Sequence, residues 1–365
     1  MKKARRIGVL TGGGDCPGLN AVVRAVTKSA INGYNYEVFG FLDGFKGLVE
    51  KQYVVLDSKM VSGIGHIGGT ILGSSNRDNP FRYFRSVDGV ETFTDESDRV
   101  IEHLKELDID GLIIIGGDGS LHIAQQFFEK GVKVVGVPKT IDNDLSATDV
   151  TFGFNTAVDT ATDAIDKLHT TAESHHRVMI LELMGRYAGW ISLYAGLAGG
   201  AHVILIPEIP YKIDSIIDKI NERRARQNKH FSIVVVAEGA RSVEGEMVVQ
   251  RLVSSSHDPI RLGGVGNKLA SEIEEKSGLE CRVTVLGHLQ RGGSPVAYDR
   301  VISSRYGAAA VEAFARGAYG AMVSLRGEDI VPVPISEAIA SLKQVPLQSQ
   351  IVRTARLIGI AFGDE

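Results

Sequence analysis

Residues 112–120 read Leu112-Ile113-Ile114-Ile115-Gly116-Gly117-Asp118-Gly119-Ser120: four aliphatic side chains, then two glycines, a carboxylate, a third glycine and a hydroxyl. Four aliphatics in succession suit a strand of a parallel sheet covered on both faces. The glycines after them let a bulky anion approach the backbone amides without meeting a Cβ. Asp118 is then placed to hold a divalent cation. The same string also reads as an ordinary turn after a strand, so its chemistry depends on what surrounds it.

Other apolar runs end in the same manner. Strands are expected at 7–11, 37–42, 132–137, 177–183, 202–206, 232–237 and 282–286, most of them followed by glycine or a polar turn. Helical spacing of apolar residues marks 21–31, 121–130, 155–172 and 300–316. Alternation of strand, loop and helix, with 42 glycines clustered after the apolar runs, assigns the α/β class with helices on both sheet faces. The polar stretch 241–266, holding Ser254-Ser255-Ser256, reads as a surface excursion.

With 365 residues, 44% hydrophobic and 23% charged, the chain has the composition of an ordinary soluble protein long enough for about two domains. A formal net charge of -4 gives no footprint for a nucleic-acid binder. No run approaches the roughly 18 apolar residues of a membrane span, and the basic start Met1-Lys2-Lys3-Ala4-Arg5-Arg6 lacks an export-signal core. Only Cys16 and Cys281 are present, with no metal-ligand spacing, which fits a reducing cytoplasm.

Two more loops carry chemistry. Thr11-Gly12-Gly13-Gly14-Asp15-Cys16-Pro17-Gly18 lies between a strand and a helix, a natural anion cradle or a glycine-rich turn. It has neither the Lys-Ser/Thr ending of a Walker A loop nor the spacing of a dinucleotide fingerprint. Pro138-Lys139-Thr140-Ile141-Asp142-Asn143-Asp144 follows an apolar strand. Its paired carboxylates can divide labour, one taking a proton from a hydroxyl while the other orients the substrate or attends a metal. An Asx-rich turn capping the next helix is the plainer reading. Adjacent His175 and His176 point in different directions and have no completing carboxylate, Cys16 reads as a small buried filler, and Trp190 as core or interface.

Gly13-Gly14-Asp15, the 116–120 string, Thr140-Ile141-Asp142-Asn143-Asp144, Met184-Gly185-Arg186 and the run from Leu286 through His288 and Arg291 to Pro295 together resemble the 6-phosphofructokinase family, in the family's order and over nearly the whole chain. The resemblance implies two three-layer α/β/α lobes of Rossmann-like, mostly parallel sheet, with the active site in the cleft between them. Residues 1–153 with about 295–343 would form the donor lobe, and 154–294 with about 344–365 the sugar lobe. It also implies transfer of a phosphoryl group from ATP, with Mg2+, to the 1-hydroxyl of fructose 6-phosphate. Asp142 falls on the family's catalytic base, with Thr140 and Arg186 beside it, and Asp118 on its magnesium carboxylate. Gly14, Arg77, Gly119, Ser120 and Lys139 fall on the donor side, although the 76–80 stretch differs in length from the simplest family pattern. Thr140, Asp142, Asp144, Arg177, Met184, Gly185, Arg186, Glu238, Arg282, His288 and Arg291 fall on sugar-phosphate positions. A homotetramer, or a homodimer, is implied, with Arg177 and Arg282 as the arginines given to a neighbour.

The family holds ATP users and pyrophosphate users, and two positions bear on the choice in opposite senses. Gly119 leaves room where a nucleotide's α-phosphate would lie, whereas pyrophosphate users typically carry aspartate there. Lys139 stands where ordinary bacterial ATP enzymes have glycine and pyrophosphate users have lysine. Steric exclusion is harder to evade than a flexible ammonium, so ATP is the expected donor and pyrophosphate the alternative. At the family's effector site Arg24 and Lys28 keep positive charge, while Ser58, His169 and Gln227 replace basic residues, which predicts weakened control by anionic effectors. Two rival classes remain: a lipid or dinucleotide kinase, against which the Arg186, His288 and Arg291 blocks argue, and a non-catalytic sugar-phosphate or nucleotide sensor, against which Asp118, Asp142 and Asp144 argue.

Overall fold

The computed structural model describes residues 5–87, 90–227, 230–245, 247–252 and 260–365. The strands, in chain order, are β1 (Arg6–Thr11), β2 (Glu37–Phe41), β3 (Tyr53–Leu56), β4 (Tyr83–Val87), β5 (Val90–Thr94), β6 (Gly111–Gly116), β7 (Val134–Pro138), β8 (Val178–Leu183), β9 (Val203–Leu205), β10 (Ser232–Ala237), β11 (Val249–Leu252), β12 (Ile260–Leu262), β13 (Cys281–Val285), β14 (Ala321–Arg326) and β15 (Asp329–Pro334). The helices are α1 (Leu19–Tyr34), α2 (Phe45–Glu50), α3 (Ser97–Glu106), α4 (Asp118–Glu129), α5 (Phe154–His175), α6 (Trp190–Ala198), α7 (Ile213–Gln227), α8 (Val265–Ser277), α9 (Ala297–Arg316), α10 (Ile335–Ala338) and α11 (Gln350–Leu357). The expected α/β class is present.

Seven strands form one sheet in the order β15-β14-β7-β6-β1-β2-β3, parallel except at its two edges, where β3 and β15 run antiparallel to their neighbours. Four parallel strands form a second sheet, β13-β8-β10-β9. The quoted run becomes β6, buried along its whole length. Alternate residues serve opposite faces: Ile113 and Ile115 pack with α1 and α9 residues such as Val22 and Phe314, and Leu112 and Ile114 pack with Leu121 and Phe127 of α4. Burial on both sides explains why the sequence shows an unbroken aliphatic run rather than alternation. The first of these clusters continues through Leu181, Leu183, Ile233 and Val235, so one apolar core joins the two sheets.

Several expected boundaries shift. The strand expected at 132–137 starts at Val134, because the Val132 amide is taken by the Phe127 carbonyl at the end of α4. The 241–266 excursion contains the antiparallel strands β11 and β12 and the first two residues of α8; Ser254, Ser255 and Ser256 lie outside the described residues. Cys16 and Cys281 are both free and buried. Among the described residues no helix is long and apolar enough to cross a membrane.

In β1 and β6, which lie side by side, Ile7 to Thr11 pair in register with Gly111 to Ile115. The chain leaves β1 for β2 on one side, whereas β6 lies on the other, so their carboxyl ends flank a topological switch point, where open α/β sheets form ligand crevices. Replacing Ile113 by Ala should lower stability by roughly 2–5 kcal/mol through lost burial and a cavity. A clear drop in the urea midpoint is the expected result; an unchanged midpoint would contradict the placement of this residue in the shared core.

Candidate active site

The loops after β1, β6 and β7 are tied together by main-chain hydrogen bonds. Gly12 N donates to Ile115 O at 2.8 Å, and Lys139 N donates to Gly116 O at 3.0 Å. No Cβ fits at Gly116, because it would collide with Ser120 of the first turn of α4. Asp118 opens α4, where a carboxylate suits the positive end of the helix dipole. Its side chain is about one-third exposed, and His122 lies 3.4 Å away, one helical turn on.

These loops line a cavity that holds Gly14, Arg77, Asp118, Gly119, Ser120 and Lys139, all expected on the donor side. Thr140 lines this same cavity rather than the neighbouring one. Phe45 and Ile123 supply apolar wall that the sequence reading did not single out. Lys139 is buried, and its Nζ donates to the carbonyl of Gly14. Burial pulls its pKa down, with Arg291 adding to that and Cys16, Asp15 and Asp144 opposing it. The ammonium is therefore a fixture of the first loop as well as part of the cavity wall. Burial also pushes the Cys16 thiol up to about 12, which keeps it inert at neutral pH.

A second cavity contains Asp142, Asp144, Met184, Arg186, Glu238 and Arg291 from the expected sugar-phosphate set. Asp118, Gly119 and Arg291 line both cavities, so the two are halves of one cleft. Arg291 donates to the Asp15 carbonyl at 3.1 Å, and a Cβ on Gly14 would lie 3.0 Å from its guanidinium. Asp142 and Asp144 follow β7 of the large sheet, and the other sugar-side residues come from the carboxyl ends of the small sheet: Met184 and Arg186 after β8, Glu238 after β10 and Arg291 after β13. Gly185 holds a left-handed φ of 139° between Met184 and Arg186, and its carbonyl accepts from Gly239 N at 3.1 Å. A Cβ at Gly239 would strike the Arg186 carbonyl, a constraint visible only in three dimensions.

Three of the expected residues lie elsewhere. Arg177 stands just before the amino end of β8, and Arg282 is near the amino end of β13, opposite the strand ends that carry the cleft. Both guanidinium groups pair with Glu280, Arg177 at 2.9 Å. Neither lines the cavities of its own chain. His288 is exposed in the short helical turn Gly287–Arg291 and also lines neither cavity. Tyr187 and Leu342 line the sugar-side cavity without having been expected there.

Electrostatics sharpen the picture. Burial holds Asp142 above the ordinary carboxylate range, opposed by Arg291, Arg186 and Lys139. Its Oδ1 is buried and accepts no hydrogen bond, while its backbone amide donates to Thr140 Oγ1 at 3.1 Å. Burial and the adjacent Asp142 push Asp144 up to about 7, and the same two causes push Glu238 up to about 7. Asp144 and Glu238 can exchange protons near neutrality, and all three carboxyl groups, gathered around Arg186 and Arg291, offer acceptors to hydroxyl groups. Among the described residues no group of three or more His, Cys, Asp or Glu could hold a metal by itself. The lone carboxylate at Asp118 fits a hard cation that takes most of its ligands from phosphate and water.

An anion-accepting loop set facing buried carboxylates and guanidinium groups, on two doubly wound sheets, defines a phosphoryl-transfer class of protein. The sequence model of the family named Phosphofructokinase matches residues 6–314. The chain belongs to that family. It is 54% identical over 369 residues to "ATP-dependent 6-phosphofructokinase 2" of Clostridium perfringens, covering 100% of both chains. It is 52% identical over 342 residues to "Pyrophosphate--fructose 6-phosphate 1-phosphotransferase" of Streptomyces coelicolor, covering 93% of this chain and 96% of that one. Among solved structures, phosphofructokinase of Pichia pastoris in the T-state superposes with a TM-score of 0.80 at 30% identity, over 98% of this chain and 37% of that longer one.

The raised carboxylates give a signed test. A carboxyl whose folded pKa exceeds its unfolded value binds more protons in the folded state, so its contribution to stability falls as pH rises from about 4 toward about 7. Asp144→Asn removes a buried charge that exists only at the alkaline end. The variant should therefore gain melting temperature over wild type at about pH 8.5 and gain little at about pH 5. Equal differences at the two pH values would contradict the assignment.

Proposed function

We propose that this chain transfers the terminal phosphoryl group of ATP to the 1-hydroxyl of D-fructose 6-phosphate, giving fructose 1,6-bisphosphate and ADP. The observation that carries the reading is the single cleft in which Asp118, Gly119 and Arg291 are common to a glycine-lined donor half and a carboxylate-lined acceptor half. Asp142 takes the hydroxyl proton as the sugar oxygen attacks, and its unpartnered Oδ1 is the atom available for it. Arg186, which weighs against the raised pKa of Asp142, offsets the negative charge that grows as the phosphoryl group transfers. Thr140 holds the amide of Asp142. Asp144, Met184, Gly185 and Glu238 shape and hydrogen-bond the sugar, and Arg291 faces its phosphate or the donor's. Mg2+ bound at Asp118 would supply neutralisation of charge on the donor phosphates.

Gly14, Arg77, Gly119, Ser120 and Lys139 hold the donor. Lys139 is engaged with the first loop, and Gly119 presents no side chain, a pairing that supports a nucleotide. Full-length similarity to relatives named as ATP-dependent supports the same choice. Pyrophosphate is the second reading, favoured by Lys139 and by the similar relative named for that donor.

Residues 1–153 with about 295–343 act as the donor lobe, and 154–294 with about 344–365 as the sugar lobe; the division between the two sheets supports this. Because Arg177 and Arg282 sit at the amino ends of their strands, they serve a neighbouring chain in a homotetramer, or a homodimer. His288, exposed in the turn beyond the carboxyl end of β13, contacts the phosphate of the sugar. Control by anionic effectors is weak: His169, where relatives carry a basic residue, has its Nε2 engaged with the Gly199 carbonyl at 2.7 Å. The protein works in the cytoplasm.

Coupled assays on fructose 6-phosphate, first with ATP and then with pyrophosphate, test the reading. Turnover with ATP is expected, and Asp142→Ser should cut kcat by roughly 10²–10⁴-fold with the fold intact. Absence of turnover with either donor, or near-normal turnover in the variant, would overturn it.

A further inference from the structure

The loop bearing Asp142 and Asp144 runs from the end of β7 to α5 without belonging to either. Within it Asn143 adopts a left-handed φ of 52°, and its buried Oδ1 accepts from Thr151 N at 3.0 Å. The later part of the loop is tied to β14 and α9, with Asp149 N on Leu325 O at 2.9 Å and Tyr306 Oη on Val150 O at 2.6 Å, while the part around Asn143 and Asp144 is also held by a segment about 200 residues later in the chain. Leu145 bridges Leu342 in antiparallel fashion, and Lys343 N donates to Asp144 O at 2.7 Å. The Lys343 ammonium donates to Asn143 Oδ1 at 3.1 Å and to the carbonyls of Thr148 and Asp149, each at 2.9 Å.

An ammonium has three protons, and these three acceptors use all of them. Lys343 therefore has no donor left for a phosphate or a sugar and cannot act on substrate itself. Burial pulls its pKa down to about 8, and the nearby carboxylates of Asp149 and Asp144 oppose that shift.

The same segment is also fastened to the loop after β8. The Lys343 carbonyl accepts from Trp190 Nε1 at 2.8 Å, and its Nζ lies 5.7 Å from the Trp190 ring centroid. Gln344 Nε2 donates to Tyr187 O at 3.1 Å. Val345 N donates at 2.8 Å to Glu208 Oε1, which also takes Gly189 N at 3.0 Å. Leu342 meanwhile lines the sugar-side cavity. Residues 342–345 thus join the carboxylate loop of one sheet to the Met184–Trp190 segment of the other, with the cavity between them.

We propose that Lys343 is a positioning residue for phosphoryl transfer, holding the Asp142–Asp144 loop in register with the Arg186 loop across the sugar-side cavity. This rests on the reading that the acceptor sugar occupies that cavity. Lys343→Met keeps the apolar stem and removes the three donors; Lys343→Gln keeps one amide donor group and serves if the first variant does not fold.

Two readouts decide the matter: steady-state kinetics with ATP and fructose 6-phosphate, and hydrogen–deuterium exchange of the free protein. In Lys343→Met, kcat should fall by roughly tenfold to a hundredfold while KM for ATP changes by less than about threefold. Amides of 142–151 should exchange faster while those of β6 stay protected, and Lys343→Gln should lie between wild type and Lys343→Met in both readouts. A folded variant with unchanged kcat and unchanged exchange in 142–151 would overturn the proposal. So would faster exchange spread equally over β6, which would mark a general stability role. If wild type itself turned over no fructose 6-phosphate, the substrate reading would fail instead, and the exchange comparison would still decide whether Lys343 holds the loop.

Discussion

Burial of the Asp142 carboxylate with one oxygen unpartnered is the constraint on which the site depends. A charge withdrawn from water without hydrogen bonds costs several kcal/mol, so such a group survives only where neighbours compensate and the rest of the fold holds it in place. Compensation comes from three cations on three separate segments: Arg291 beyond β13, Arg186 beyond β8 and Lys139 beyond β7. These cations oppose the upward pull of burial on the Asp142 carboxyl. A group in that condition can accept a proton from a hydroxyl and return it, whereas a fully paired carboxylate would lose basicity.

Bringing three cations to one carboxylate requires two sheets to point their carboxyl ends at each other. The shared apolar core does this by running from Ile113 and Ile115 of the large sheet to Leu183 and Val235 of the small one. Hydrogen bonds at the mouth then set the local register, with Gly12 N on Ile115 O and Lys139 N on Gly116 O. Close packing tolerates little error here: Gly116 against Ser120 and Gly239 against the Arg186 carbonyl leave no room for a methyl group. Closing off water around such a site protects the donor phosphate from hydrolysis.

Much of this was legible in the sequence because the decisive elements are contiguous. An aliphatic run ending in Gly116-Gly117-Asp118 announces a buried parallel strand and its loop, and Asp142 to Asp144 announces paired carboxylates after another. Edge strands such as β3 and β15 carry weaker patterns, and the polar helices α7 and α8 bury only a narrow stripe, so neither pair was anticipated. The contributions of Tyr187, Gly239, Leu342 and Lys343 depend on neighbours far away in the chain, and no local pattern encodes them. Arg177 and Arg282 show the converse case: the strands expected at 177–183 and 282–286 already put them at amino ends, but their pairing with Glu280 away from the cleft emerged only from the fold.

In the proposed reaction Asp142 meets the acceptor hydroxyl inside a cleft shared with the donor. A crystal structure with fructose 6-phosphate and a non-hydrolysable ATP analogue bound together tests that most directly. The account predicts the sugar's 1-hydroxyl oxygen within about 2.6–3.2 Å of the Asp142 carboxylate, with the analogue's terminal phosphate beside Asp118 and Gly119. A sugar bound with that hydroxyl turned away from Asp142, or a nucleotide seated outside the Gly14–Ser120 cavity, would contradict it.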